Sequence, residues 1–143
     1  ILPTASAAWP TAPYIFGATT AGVNTYSSQI GRYVVLGNLV FATFFIILTA
    51  LGTGGNAMAG AMKIGNLPLT SLNVAGIYPQ INTPFWNNIN MAAGYTTLGG
   101  YALHNTDTFN IVQLGSGKAL ANLAVTGLVD SSSIMGNVAY FIG

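Results

Sequence analysis

Charge is the property that this sequence has least of. Charged residues make up 3% of the 143 residues, and glutamate is absent, whereas an ordinary soluble domain is about 25% charged. The whole charged set is Arg32, Lys63, Asp107, Lys118 and Asp130. A monomer with so few charges lacks the repulsion that normally keeps proteins apart in solution. The sequence therefore predicts either that partner chains cover much of the surface or that the chain lies in a membrane.

Other absences exclude whole classes of chemistry. Without cysteine, the chain forms no disulfide and no thiolate metal site. Its net charge of +1 gives no basic patch for phosphates, which argues against a nucleic-acid partner. The sequence contains no phosphate-binding loop, dinucleotide fingerprint or metal-ligand spacing. We therefore expect neither a cofactor nor a metal.

Catalytic groups are also scarce. Glycoside hydrolysis usually needs two carboxylates beside the scissile bond, and Asp107 and Asp130 both lie in turn-like sequences. The single histidine, His104, is accompanied by no nucleophile motif such as G-x-S-x-G, and a metal site needs several ligands. We interpret His104 as a loop residue that makes hydrogen bonds, and we predict that the chain is not an enzyme.

The residues that are abundant favour strands. Glycine (18 residues), asparagine, threonine, aromatic and β-branched residues dominate, while good helix formers other than alanine and leucine are rare. Strands are predicted over residues 14–18, 29–36, 39–51, 57–64, 109–114 and 134–142, with one or two more within 91–104, and with Gly37-Asn38 as a tight turn. Pro79 and Pro84 limit pairing in the less regular segment 71–90. Residues 119–128 are compatible with a helix.

Residues 33–51 form a long apolar run without charge. Gly37-Asn38 interrupts this run, β-branched residues are frequent in it, and no basic residues flank its end, so we reject a transmembrane helix. As a strand, residues 39–51 have two largely apolar faces, whereas an antiparallel strand with one wet face alternates. A neighbouring subunit is the expected cover for the second face. A central strand in a two-sheet core with a helix outside stays open as the alternative.

Several motifs occur in a recognisable order along the chain. Residues 25–33 read TYSSQIGRY, the Gly37-Asn38 turn follows, the long strand ends in LTALGTG at 48–54, and GNLPLT occupies 65–70. Together with the ending IMGNVAYFI at 134–142, this order resembles the C-terminal receptor-binding (tip) domain of bacteriophage and prophage tail fibres. The resemblance covers about residues 14–70 and 134–142, and residues 72–129 carry no matching motif.

The resemblance implies an all-β fold, an antiparallel β-sandwich in a jelly-roll-like knob that packs as a homotrimer. Residues 1–13 would then be a linker or the end of the fibre shaft, and residues 14–143 a single receptor-binding domain. Because it starts at Ile1, the chain is expected to be a processed or cut form of a longer protein. The implied location is the virion, at the distal end of the tail fibre, without membrane insertion.

The same resemblance implies adhesion to a bacterial surface receptor, either a capsular or lipopolysaccharide glycan or an outer-membrane protein. A second interpretation belongs to a different class. In it the chain is a purely structural virion protein, such as a fibre cap or baseplate decoration, that trimerises and binds no receptor.

Sugar binding requires aromatic faces beside amides and hydroxyls. The segment 78–95 is rich in both, and Trp86, Asn87 and Asn88 are its sharpest candidates, with Tyr95 at its end. Asn105 and Thr106 form a second candidate loop, because loops on a rigid β scaffold often carry binding residues. The alternative, in which Trp86 is a core residue and the asparagines shape turns, stays open.

Overall fold

The computed structural model describes residues 5–143 and is built almost entirely from strands. The strands are β1 (Ala7–Ala8), β2 (Tyr14–Gly17), β3 (Thr25–Leu36), β4 (Leu39–Ala50), β5 (Met62–Gly65), β6 (Gln80–Ile89), β7 (Thr97–Ala102), β8 (Phe109–Leu114), β9 (Ala121–Asn122) and β10 (Leu128–Phe141). Two single 3₁₀ turns, Gly54–Asn56 and Val125–Gly127, complete the regular structure of these residues. The all-β prediction is confirmed.

One antiparallel sheet contains all the strands, in the order β1-β3-β4-β10-β6-β7-β8-β5-β2, with β9 paired to β8. The sheet curls, so that strands far apart in this order face each other across the core. The ring centroid of Phe44 on β4 lies 5.3 Å from that of Phe109 on β8, and 6.2 Å from that of Trp9. The molecule is therefore a curled half-barrel whose two halves pack face to face, as the layers of a sandwich do.

The apolar run at residues 33–51 is the hairpin of β3 and β4. Gly37, with φ 61°, and Asn38 form its two-residue turn, because a tight hairpin turn needs a positive φ that glycine adopts without strain. Both strands are 12 residues long. Within residues 5–143, no helix is long and apolar enough to cross a membrane.

The core lies on the concave side of the curl. Side chains of a strand alternate between its two faces, and the residues of β4 that are buried alternate accordingly: Val40, Ala42, Phe44, Ile46 and Leu48. They pack with Ile64 of β5, Ile111 of β8 and Ile134 of β10 in one cluster. Burial of these side chains at about 25 cal/mol per Å² is the main force that holds the curl closed.

Strand β6 departs from the expectation for its segment. Residues 71–90 were predicted to be less regular; residues 71–79 are a loop, whereas β6 pairs with β10 through most of its length, with two register shifts. Pro84 is tolerated because the register shifts between the Met135 and Asn137 pairings, which leaves Thr83 and Pro84 in a bulge. Opposite the bulge, Gly136 is required, since a Cβ there would lie 2.6 Å from both the Phe44 ring and the Asn82 carbonyl oxygen.

Several other boundaries also differ from the predictions. The strand expected at 57–64 is restricted to Met62–Gly65, and the segment compatible with a helix forms the short strand β9 and a 3₁₀ turn. In the segment 1–13, residues 1–4 lie outside the described residues. Trp9 is buried, and its Nε1 donates a hydrogen bond to the Arg32 carbonyl oxygen at 3.2 Å. The domain boundary near residue 13 stays a prediction.

The register defines two ends of the sheet. The hairpin end contains the β3–β4 turn, the loops at 66–79 and 103–108, and the chain end after Phe141. The far end contains the loops at 51–61, 90–96 and 115–120. These two names are used below.

Candidate functional site

The convex side of β3, β4, β10 and β6, which we call the outer face, carries side chains in cross-strand rows. One apolar row runs across all four strands: Ile30, Phe45, Met135 and Phe85. A second runs across three: Val34, Phe41 and Ala139. Between them lies a polar row of Arg32, Thr43, Asn137 and Asn82.

Large apolar groups on the outer face are open to solvent. Phe41 and Phe85 are 44% and 45% exposed, and the rings of Phe45 and Phe85 meet edge to face with centroids 6.3 Å apart. Arg32 supplies the charge in the rows named above, and it donates to the Ser6 carbonyl oxygen at 2.6 Å. Contiguous apolar surface of this kind marks an interaction site.

The convex side of the other half of the sheet has a different composition. A row crosses β6, β7, β8, β5 and β2 and contains Gln80, Tyr101, Asn110, Lys63 and Phe16. This row contains two amides, two aromatic rings and one lysine, whereas two of the three rows of the outer face are apolar. We call this line the aromatic–amide row.

Two clefts meet at Tyr78 and Gln80. The first, of about 420 Å³, lies over β7 and is bounded by Tyr101, Gly99 and Leu120. The second, of about 440 Å³, is bounded by Phe141, Asn137 and Leu72 and adjoins the outer face. We call them the Tyr101 cleft and the Phe141 cleft. Both volumes fall in the range of about 300–1,000 Å³ that is usual for small-molecule sites.

The structure separates the predicted cluster of Trp86, Asn87 and Asn88. Trp86 pairs with Ile134, is half-buried and packs against the core, whereas Asn87 pairs with Ser133 and is exposed. Neighbouring residues of a strand point to opposite faces, so ring and amide do not form one surface. Asn88 has φ 54°, and its amide nitrogen donates to Ser131 Oγ at 3.1 Å.

The remaining predicted residues lie at both ends of the sheet. Tyr95 is at the far end, where its hydroxyl donates to the Ala119 carbonyl oxygen at 2.9 Å and Lys118 Nζ lies 5.9 Å from its ring. Asn105 and Thr106 are at the hairpin end, and Thr106 N donates to Ser71 Oγ at 3.1 Å. The six candidates therefore form no single site within one chain. Their role in binding stays a prediction.

Tyr101, Asn110 and Asn137 were not among the predicted site residues. The sequence held one signal for Tyr101, because it follows Gly99 and Gly100, and glycine within a strand often marks a close approach by a ligand or another backbone. Asn110 and Asn137 carried none, because their neighbours across the sheet come from distant parts of the chain.

The two carboxylates lie at opposite ends of the sheet. Asp107 is in the β7–β8 turn at the hairpin end, whereas Asp130, near the start of β10, accepts a hydrogen bond from Leu51 N at 2.8 Å. Along the strand direction, Asp107 and Asp130 are separated by most of the length of β10, which has 14 residues. At roughly 3.3 Å per residue, this distance is several times the spacing of the two carboxylates in glycosidases. One chain therefore does not bring them together.

His104 stands beside Tyr78 at the hairpin end. The two rings are stacked, with centroids 6.1 Å apart and planes 22° from parallel. Its Nδ1 is buried and has no hydrogen-bond partner among the described residues, so the hydrogen bond expected of His104 is not seen at this atom. Within residues 5–143, no group of three His, Cys, Asp or Glu side chains is placed to hold a metal ion.

Two tyrosines fix chain segments by the same contact. The Tyr140 hydroxyl donates to the Leu69 carbonyl oxygen at 2.9 Å and accepts from Leu69 N at 3.2 Å. The Tyr26 hydroxyl likewise donates to the Ile15 carbonyl oxygen at 3.1 Å and accepts from Ile15 N at 3.0 Å. Burial raises the pKa of Tyr140 to about 12, although its hydrogen bond to Leu69 opposes the shift. Burial likewise raises the pKa of Tyr26.

The fold defines the chain as an antiparallel all-β domain of the curled, sandwich-like kind. No protein-family profile and no curated protein sequence matches it. Its structure is similar to that of the Dettilon tailspike protein, with a TM-score of 0.72 and 17% identity over 95% of this chain. The match covers 23% of the tailspike chain, so this chain spans about a quarter of that protein's length.

Proposed function

We propose that this chain is a receptor-binding domain of a bacteriophage tail protein. In this proposal it lies at the distal end of the tail fibre or spike and adheres as a homotrimer to a bacterial surface receptor. The receptor is a capsular or lipopolysaccharide glycan or an outer-membrane protein, and adhesion involves no catalysis. The fold likeness to a tailspike protein supports the class.

The outer face is the observation that carries the proposal. Its apolar rows hold exposed Phe41 and Phe85 with little charge around them, and no α-helix in the described part of the chain covers them. Covering an exposed apolar surface of this kind is favourable in water, and such surfaces are typical of interaction sites. Further copies of the chain are the occupants that the resemblance to tail-fibre tips implies.

Substitution of Phe41 tests the homotrimer. Phe41→Asp places a charge in the middle of the proposed interface, where its desolvation is costly, so trimers should dissociate to folded monomers in sedimentation experiments. Val23→Asp is the matched control, because Val23 is 63% exposed and lies in the β2–β3 loop away from the outer face. A monomeric wild-type chain, or a Phe41→Asp trimer of unchanged stability, would contradict the homotrimer.

Adhesion of the wild-type chain to intact bacteria separates receptor binding from a purely structural role. Three linked sites of modest affinity add through avidity, so the trimer should adhere to host cells and the Phe41→Asp monomer should adhere at least tenfold more weakly. A trimer that adheres to no strain of a panel containing the phage host would favour the structural alternative.

A further inference from the structure

The Tyr101 cleft is built differently from the rest of the surface. Its floor is the backbone of Gly99 and Gly100, and its walls include Tyr78, Tyr101 and Gln80. Gly99 and Tyr101 project from the convex side of β7, since Leu98 and Ala102 are buried on the concave side. Gly99 therefore adds no side chain to the cleft, and Leu114 and Val112 form its wall there: a Cβ on Gly99 would lie 3.3 Å from Leu114 Cδ1 and 3.8 Å from Val112 Cγ2.

The two rings of the cleft have different surroundings. Tyr78 is 44% exposed, and its ring stacks on that of His104. Tyr101 is half-buried and lies in the aromatic–amide row, paired with Gln80 on one side and Asn110 on the other. One stacked ring and one ring flanked by two amide residues thus line the same cleft.

The cleft lining carries no charged side chain: it consists of Tyr78, Gln80, Ile81, Gly99, Gly100, Tyr101, Val112, Leu114 and Leu120. In the aromatic–amide row, the nearest cation to Tyr101 is Lys63, two strands away. An anionic ligand in the cleft would lack a cationic partner, and a basic peptide would lack an acidic one. The lining is complementary to a ligand that is neutral, hydroxyl-rich and partly apolar.

We propose that the Tyr101 cleft binds a neutral oligosaccharide. The apolar face of one sugar ring lies on the Tyr101 ring, beside Gly99, and the next sugar approaches Tyr78. The side-chain amide of Gln80 donates to and accepts from the sugar hydroxyls. This inference rests on the proposed function and gives it a site distinct from Trp86, Asn87 and Tyr95.

The Tyr101 cleft also suits the proposed homotrimer. It lies over β7, beyond β6 from the apolar rows of the outer face. The Phe141 cleft, by contrast, is lined by Asn137, Ala139 and Phe141, which face the proposed interface. A trimer packed through the outer face would therefore leave three Tyr101 clefts accessible.

Amide chemical shifts of the ¹⁵N-labelled full chain test this inference. Neutral probes are maltotriose, galactobiose and N,N′,N″-triacetylchitotriose at millimolar concentrations, and the contrasting probes are sialyllactose and a neutral hydrophobic peptide. At least one neutral sugar should shift the resonances of Gln80, Gly99 and Gly100. The absence of any such shift, a shift confined to Asn87, Asn88 and Tyr95, or a stronger response to sialyllactose or the peptide would overturn the inference.

Variants provide the second arm. Tyr78→Ala, at an exposed position, and Tyr101→Ala should each weaken binding of the neutral sugar at least tenfold. Val23→Ala, at an exposed position in the β2–β3 loop, should leave it unchanged. Tyr101→Phe keeps the ring and should retain most of the binding, which controls for loss of fold. Equal binding by wild type and Tyr78→Ala would also overturn the inference.

Cell adhesion distinguishes the failure of this inference from that of the proposed function. If a Tyr78→Ala/Tyr101→Ala trimer adheres to host cells as the wild type does, the cleft is not the receptor site and the adhesive function stands. If the wild-type trimer adheres to no cells, the proposed function fails, while the chemical shifts still decide whether the cleft binds neutral sugar.

Discussion

The two faces of β4 have similar compositions and different environments. The inner face carries Val40, Ala42, Phe44, Ile46 and Leu48, all buried, and the outer face carries Phe41, Thr43, Phe45, Ile47 and Thr49, all exposed or half-buried. Phe44 is 2% exposed and Phe41 44%. The curl of the sheet covers one face within the chain, whereas no strand or helix of residues 5–143 packs over the other. The same residue type thus stabilises the fold on one face and is available for association on the other.

The largest expected difference in stability is that between the separate variants Phe44→Ala on the inner face and Phe41→Ala on the outer face. Phe44→Ala removes a ring that contacts Trp9 and Phe109, and should lower the free energy of unfolding by about 3–5 kcal/mol. Phe41→Ala should lower that of the dilute monomer by less than about 1 kcal/mol, since exposed positions contribute little. Urea unfolding at matched concentrations measures both. Equal losses would show that the two faces do not differ.

A loss of stability of intermediate size is expected from removing the hydroxyl of Tyr140, which lies on β10 and pairs with Val40 on the inner side. Tyr140→Phe leaves the Leu69 N–H and carbonyl without their partner, so the free energy of unfolding should fall by about 1–3 kcal/mol at neutral pH. Tyr26→Phe is the matched control for the same contact made to Ile15. Unchanged stability in both variants would contradict a structural role for these hydroxyls.

The raised pKa of Tyr140 makes this contribution dependent on pH. Its pKa is about 12 in the fold and about 10 in an unfolded chain, so the neutral phenol is favoured by folding. The stabilisation is therefore fully present below about pH 10 and is lost as the pH rises through about 12. Tyr140→Phe should lose less stability than the wild type in this window, as followed by circular dichroism. Parallel losses would contradict the assignment to Tyr140.

The smallest effect should come from Asp130, an exposed residue that bonds Leu51 N. Asp130→Asn keeps an oxygen acceptor there, and the free energy of unfolding should change by less than about 1 kcal/mol.

Because the proposed function has no catalysis, the chain length of host polysaccharide incubated with the trimer should stay the same for wild type, Asp107→Asn and Asp130→Asn. Shortening by the wild type that either change abolishes would establish an enzyme.

Turn residues and short apolar runs in the sequence were enough to predict some of the strands. Gly37-Asn38 sets the β3–β4 hairpin, and Phe109–Leu114 lies where its apolar residues predicted a strand. The extent of β6 was not predicted, because its partner strand accommodates Pro84 in a bulge opposite Gly136. Gly136 is 52 residues from Pro84 in the chain, and such a distant partner leaves no local signal.

The candidate site was harder to predict than the fold. Trp86 and Asn87 are adjacent in sequence, and their positions in β6 send their side chains to opposite faces. Gln80, Tyr101 and Asn110 are distant in sequence, and strand register brings them into one row. Proximity in the chain therefore does not predict which side chains share one face of a sheet.

The sequence by itself determined the class of fold, and it predicted that both faces of one strand are largely apolar. Scarce charge, abundant glycine and β-branched residues, and two apolar faces on one strand follow from composition and a period of two. Only the tertiary structure decided which face of β4 is buried, because that depends on how the sheet curls around its 3₁₀ turns, bulge and long strands. It also decided where rings and amides meet, because long-range pairings fix the cross-strand rows and local sequence does not encode them.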